Sequence, residues 1–218
     1  AKNHRPRLGQ KLMIAAIART LGGIQYNDDH ERESESHVCV VEAGTGTGKT
    51  VASLLSVIPV ARLLDKKVVI ATATVALQEQ IVLKDLPDVR RHSQLVFDFA
   101  LAKGRGRYLC LSKLDRLMSS EDDPYIPLYD ELSASAVDDP IYQEMIQKLA
   151  AGQWDGDRDS WDDEIAPEKW SRVTTDHRQC TGRRCSHVRQ CAFFKARESM
   201  DDADVVVANH DLVLADLA

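Results

Sequence analysis

Eight consecutive residues, Ala43-Gly44-Thr45-Gly46-Thr47-Gly48-Lys49-Thr50, have the composition of a phosphate-binding loop. Glycines let successive backbone N–H groups converge on an anion, and a helix starting at Lys49 would aim its positive end at the same point. In this pattern the lysine reaches the β and γ phosphates and the hydroxyl of Thr50 ligates Mg²⁺, so the chemistry is the binding of a magnesium nucleoside triphosphate. Ala43 stands at the first glycine position, where a small residue suffices if its φ is negative. No Asn-Lys-x-Asp guanine signature occurs in the 218 residues, which favours ATP over GTP. Loops of this kind serve kinases, GTPases, transporters and motors, so the loop alone names no reaction.

A second set of reactive side chains is Cys110, Cys180, Cys185 and Cys191, with 69, four and five residues between successive members. Thiolates suit Zn²⁺ and iron–sulfur clusters alike, and the residue chemistry leaves the two even. Close pairs with about 2–4 intervening residues are commoner in structural zinc sites. Arg183, Arg184 and Arg189 crowd the last three cysteines, which argues against an apolar core of free thiols, and a reducing compartment disfavours disulfides. His177 and His187 flank the group, but four cysteines complete a ligand set without them. Cys39 differs: with valines on either side, it reads as a small core residue.

The elements that must hold these groups follow from periodicity. Apolar residues at helical spacing (Met13, Ile17, Leu21) predict an amphipathic helix from Arg7 to Leu21, ended by Gly22-Gly23. Residues 37–41 read as a buried strand running into the phosphate loop, followed by a helix over 49–64. Strands at 68–71, 95–101 and 205–208 alternate with helices at 75–84 and 192–200, which implies a parallel sheet with crossover helices. Between 103 and 191 the alternation lapses. Helical patches at 111–118 and 142–149 sit among Asp, Pro and Gly clusters with no visible apolar core, a composition that calls for a staple such as a metal group. The expected fold class is therefore α/β, in three parts: 1–102, an insertion at 103–191, and a return at 192–218.

Charge is unevenly distributed. The net of −6, from 28 basic and 34 acidic residues, argues on its face against nucleic acid. Residues 119–168, however, hold fifteen acidic side chains against Lys148 and Arg158, a local −13, while the remaining residues sum to +7. The acidic block reads as a solvated stretch. Positive charge gathers at 103–118 and 169–197, around the cysteines. Hydrophobic residues at 44% and charged residues at 28% fit a globular chain, and apolar runs such as 68–71 are far too short to span a membrane. No basic stretch followed by an apolar run opens the chain, so cytoplasm is the expected compartment.

Six segments, taken in order with the phosphate loop, resemble the iron–sulfur superfamily 2 DNA helicases of the XPD-like family. Arg7-x-x-Gln10 is similar to their adenine-reading Q motif, 42–50 to motif I, and Thr72 through Gln80 to motif Ia. Gly104-Arg105-Gly106-Arg107-Tyr108-Leu109-Cys110 resembles the start of their cluster domain. The run Trp154-Asp155-Gly156-x-Arg158-Asp159, the three-cysteine group and 203–210 complete the match. The Trp-Asp-Gly run points to the DinG-type branch rather than its YoaA-type paralogue.

The resemblance implies a bacterial ATP-dependent DNA helicase moving 5′ to 3′ on single-stranded DNA and resolving forked, looped or RNA-hybrid structures in repair and replication. Its fold would be a RecA-like P-loop domain carrying an inserted, mainly helical [4Fe–4S] domain. Carried over residue by residue, Arg7 and Gln10 face adenine, Ala43 through Thr50 hold ATP and Mg²⁺, and Cys110, Cys180, Cys185 and Cys191 hold the cluster. Thr74, Gln78, Arg105, Arg107 and Tyr108 are the DNA candidates, although an N-cap explains Thr74 and a solvated helical amide Gln78 equally well. Lys103, Arg183, Arg184 and Arg189 would extend the DNA face, and Phe193 or Phe194 would stack or simply pack. No Asp-Glu-x-His acid pair or second motor domain occurs in these residues, which suggests an N-terminal fragment that does not unwind DNA alone. A zinc-stapled nucleic-acid-binding module with a non-catalytic loop is the alternative. A small phosphotransferase fits poorly with the cysteine-bearing insertion.

Overall fold

The computed structural model describes residues 7–29, 31–33, 37–119 and 139–217. The chain divides into two compact units, one formed by 1–102 with 200–218 and the other by 103–199.

The first unit is built on a parallel three-stranded sheet. The apolar run Val205–Asn209 (β3) lies at its centre, between Val68–Thr72 (β1) and Phe99–Leu101 (β2), with Val68 and Phe99 both opposite Val205. A parallel strand covered on both faces reads as a near-continuous apolar run, and in β3 Val205 and Val207 are completely buried with Ala208 nearly so. Helix α2 (Lys49–Leu63) contributes Leu54 and Ile58, one turn apart, to the core with Val68. Helix α1 (Leu8–Gly22) packs on α2, presenting the half-buried face of Met13, Ile17 and Leu21 expected from the spacing. After β1 the chain forms α3 (Val75–Gln80), a π-helical turn (Ile81–Asp85) and α4 (Leu86–His92), where periodicity predicts one helix ending at 84. Helix α9 (His210–Leu217) follows β3.

Two expectations fail in this unit. Residues 37–41 are not a strand: Val38 and Val40 are 76% and 90% exposed, and Cys39 is an exposed thiol rather than a core residue. Both edges of β3 are taken by β1 and β2, and a β-branched segment without a ladder partner has nothing to hold it extended. The strand expected over 95–101 is confined to its last three residues. Gln94 takes a left-handed turn at φ +59°, and Leu95–Asp98 remain irregular before β2.

The second unit contains α5 (Leu111–Ser119), α6 (Pro140–Ala150), α7 (Pro167–Val173) and most of α8 (Ala192–Asp202), with short 3₁₀ turns between α6 and α7 and between α7 and α8. Contrary to the sequence expectation, it has its own apolar core. Trp154, Trp161 and Trp170 pack with Tyr142, Met145, Leu109, Leu114, Ile165 and Val173. Trp154 meets Trp161 edge-on at 4.7 Å and Trp170 at 6.5 Å. The polar tips are accommodated: Trp154 donates to the Asp157 carbonyl at 2.7 Å, Trp170 to the Gly106 carbonyl at 2.6 Å, and Tyr142 to the Lys169 carbonyl at 3.0 Å. Each buried indole removes on the order of 200 Å² from water, an upper bound of about 5 kcal/mol. These residues are scattered through acidic sequence, so no single window shows a periodic face.

The acidic stretch is likewise more than a solvated face. Residues 120–138 lie outside the described residues, but beyond them Asp139 pairs with Lys169 at 2.6 Å, and Glu144 and Asp162 with Lys148 at 3.0 and 2.6 Å. Asp157 and Asp159 clasp Lys103, and Asp159 also clasps Arg107.

Candidate functional site

The phosphate loop leaves residues 45–47 in a turn and enters α2 at Gly48, whose left-handed backbone (φ +78°, ψ 35°) forms the N-cap. A side chain there would collide with Gln10, since an added Cβ would lie 2.5 Å from its Nε2. The left-handed backbone favours glycine, and a side chain there would also displace the flexible end of Gln10. The Lys49 ammonium donates to the carbonyls of Ala43 at 2.6 Å and Gly44 at 3.0 Å, and the Thr47 hydroxyl donates to Gly44 at 2.8 Å. Lys49 is exposed, Thr50 half-buried one residue into the helix, and Thr45 and Gly46 exposed on the loop. A fifteen-residue helix thus begins without a side-chain cap beside a lysine held by carbonyl contacts, an arrangement whose chemistry suits an anion.

Arg7 and Gln10, about forty residues away in sequence, come to the same loop. The Arg7 backbone N–H donates to Gln10 Oε1 at 2.9 Å, the Arg7 guanidinium donates to the Gly46 carbonyl at 3.5 Å, and the Gln10 amide lies against Gly48. Residues 72–80 divide differently. Thr74 caps α3, accepting from the Leu77 N–H at 3.3 Å, so its hydroxyl is used by the helix. Gln78 is 7% exposed and does not present the open amide expected of it.

In the second unit the four spaced cysteines line one pocket, together with Arg105, Tyr108, His187, Phe193 and Phe194. Each is positioned by a short backbone bond: Cys110 N–H donates to Val173 at 2.7 Å, Cys180 to Asp176 at 3.1 Å, Cys185 to Gly182 at 3.1 Å and Cys191 to Val188 at 3.3 Å. All four are half-buried. Burial raises the Cys110 thiol above its ordinary value, opposed by backbone bonds from Lys113 and Ser112, and neighbouring Cys185 and Cys180 push the same way as burial. Among the described residues no three His, Cys, Asp or Glu groups are arranged to hold one metal ion. His187 reaches the pocket with Asp115 3.7 Å away, whereas His177 is exposed.

The segment leading to Cys110 is held by the Trp-Asp-Gly run. Leu109 N–H donates to the Gly156 carbonyl at 2.8 Å, Tyr108 bridges antiparallel to Asp157, and Thr174 Oγ1 donates to the Tyr108 carbonyl at 3.0 Å. This latch is a feature that sequence reasoning treated only as a family marker.

The latch also changes the standing of the basic residues before Cys110. Lys103 and Arg107 are engaged by Asp157 and Asp159, and Arg105 donates to Cys180 Sγ at 3.1 Å. Tyr108 is 6% exposed, edge-on to Phe193 at 5.8 Å, so its ring is packed rather than offered to a base. Burial raises its hydroxyl above the ordinary value, reinforced by Asp157. Arg183, Arg184 and Arg189 stand exposed and carry no ion pair among the described residues.

Among the described residues no helix is long and apolar enough to cross a membrane. No family model matches the chain. Curated relatives do: a protein of Photobacterium profundum is 42% identical over 215 residues, one of Salmonella typhimurium 41% over 221, and one of Escherichia coli K12 40% over 219, each named ATP-dependent DNA helicase DinG. The matches cover 96–99% of this chain, which spans 28–30% of the relatives' length. At about 40% identity across nearly its whole length, the chain is similar to part of proteins named ATP-dependent DNA helicase DinG.

Proposed function

We propose that this chain is the ATP-binding and cluster-bearing region of an ATP-dependent DNA helicase. The observation that carries this is the convergence of Arg7 and Gln10 on the Gly46–Gly48 loop in one unit, together with four cysteines that line one pocket in the other. In this reading the first unit belongs to a RecA-like P-loop motor domain and the second is its inserted iron–sulfur domain. Lys49 exchanges the Ala43 and Gly44 carbonyls for the β and γ phosphates, Thr50 ligates Mg²⁺, and Gln10 with Arg7 contacts adenine.

Four cysteines lining one pocket are a donor set that thiolate-bound metal groups use, and in this reading Cys110, Cys180, Cys185 and Cys191 would be the ligands of a [4Fe–4S] group. A [4Fe–4S] group would supply one-electron redox capacity and a covalent staple between Cys110 and Cys180, which have 69 residues between them. The chain's own residues do the rest: the 154–159 latch fixes Cys110, and the exposed Arg183, Arg184 and Arg189 meet the DNA backbone. Thr74 and Gln78 touch DNA only if the cap and the burial described above are rearranged. Movement 5′ to 3′, forked or RNA-hybrid substrates, action in the bacterial cytoplasm and inactivity of residues 1–218 alone complete the proposal.

Its test is calorimetric nucleotide binding by the chain and by Lys49→Ala, with DNA affinity measured in both with and without nucleotide. The proposal requires ATP binding that is lost in the variant and DNA affinity that responds to ATP only in the unmodified chain. DNA binding indifferent to both would instead favour a zinc-stapled module.

A further inference from the structure

Arg105 stands apart from the other bases around the cysteines. Its neighbours Lys103 and Arg107 meet carboxylates, but the Arg105 guanidinium has no carboxylate partner among the described residues and donates instead to Cys180 Sγ at 3.1 Å. The cation is fixed from several directions. It lies over the Phe193 ring at 4.2 Å and the Phe194 ring at 6.0 Å, its carbonyl accepts from the Tyr108 N–H at 3.0 Å, and the side chain is half-buried. Cys180 Sγ accepts a second bond, from the Gly182 N–H at 3.4 Å. A planar guanidinium stacked on an aromatic and aimed at sulfur is a preorganised donor, and a partly desolvated charge-assisted bond of this kind is among the stronger hydrogen bonds.

We propose that Arg105 is a positioning residue that sets the reduction potential of the cluster through Cys180, an inference that rests on the cluster reading above. A cationic donor on a ligand sulfur withdraws electron density and stabilises the more negative, reduced form. The step affected is the uptake of one electron from a small one-electron donor in solution, with no bond made or broken. Removing the donor makes the cluster harder to reduce. Because Arg105 also bridges α8 and the Gly182 turn through Phe193 and Cys180, the contact orients the sulfur as well as charging its surroundings.

The experiment compares the anaerobically reconstituted chain with Arg105→Met, Arg105→Lys and Lys195→Met, measuring iron and sulfide content, tryptophan emission and a mediated redox titration read by visible and electron paramagnetic resonance spectra. Arg105→Met should keep the cluster and lower its equilibrium constant for reduction about tenfold, about 59 mV for a one-electron couple. Arg105→Lys should recover part of that change. Lys195→Met, which removes an exposed charge from the same unit, should change the constant less than about twofold, within the screening expected at a solvated site. Equal shifts in Arg105→Met and Lys195→Met, or no shift in Arg105→Met, would overturn the proposal. Loss of the cluster from Arg105→Met with unchanged tryptophan emission supports the bond to Cys180, and loss with altered emission shows a role in folding alone and overturns it. Zinc without sulfide in the unmodified chain defeats the underlying cluster reading instead, an outcome recognisable before any variant is compared.

Discussion

Replacing Gly156 by alanine tests the latch on Cys110 at a point where its cost divides into two parts. Gly156 has φ +87°, and an added Cβ would fall 2.8 Å from the Ala192 Cβ, with Leu109 and Leu149 also in contact. The backbone conformation costs an L-residue about 1–2 kcal/mol, and forcing a methyl group against a packed helix start costs about 1–3 kcal/mol more. The expected loss is about 2–5 kcal/mol. Gly152 isolates the first part, since at φ +66° it has nothing within 4 Å of the added atom, so Gly152→Ala should lose only about 1–2 kcal/mol. All three tryptophans of the chain belong to the core of the second unit, so a urea or thermal melt followed by tryptophan emission reports on that unit. For a domain of roughly 100 residues, about 2 kcal/mol moves Tm by at least about 8 °C. A Gly156→Ala protein melting with Gly152→Ala would refute the close approach. One melting with the unmodified protein would refute the latch itself.

Two further outcomes follow from single side chains. Asp139 caps α6 by accepting from the Ile141 N–H at 3.2 Å, and its Lys169 partner holds its carboxyl below the ordinary value. Its stabilising contribution is thus complete above an unfolded pKa of about 3.9 and is lost as pH falls through the folded value. Asp139→Ala should cost about 1 kcal/mol at neutral pH, a difference from the unmodified protein that closes in acid melts below that range. Gln10→Ala should weaken ATP about two- to tenfold while leaving inorganic tripolyphosphate unaffected. Calorimetry showing equal losses for both ligands would make Gln10 a prop for Gly48 rather than a contact to the base.

What the sequence made legible depends on how local the determinant is. The phosphate loop, β1, β3 and the helices at 49–63 and 192–202 are written in adjacent residues, and their types and approximate bounds match the structure. Residues 37–41 show the limit: their β-branched composition states a preference, but a strand also needs a ladder partner, and the described ladders join only β1, β3 and β2. The same holds for the second unit. Its three indoles meet across sixteen residues of acidic, turn-rich sequence, so binary patterning reported a surface where there is a core. For the charged residues, sign was legible and partner was not. Lys103 and Arg107 read as DNA-facing bases because Asp157 and Asp159 are some fifty residues away, and only the latch brings them together. Arg7 and Gln10 were placed beside the loop by family likeness alone, a juxtaposition carried by α1 packing on α2.

The most direct test of the account is to purify the chain anaerobically and measure iron, acid-labile sulfide and zinc on the same sample, alongside Cys110→Ser and Cys180→Ser. The account predicts about four iron and four sulfide per chain, with both lost in each variant. Zinc at one per chain with no sulfide would contradict it.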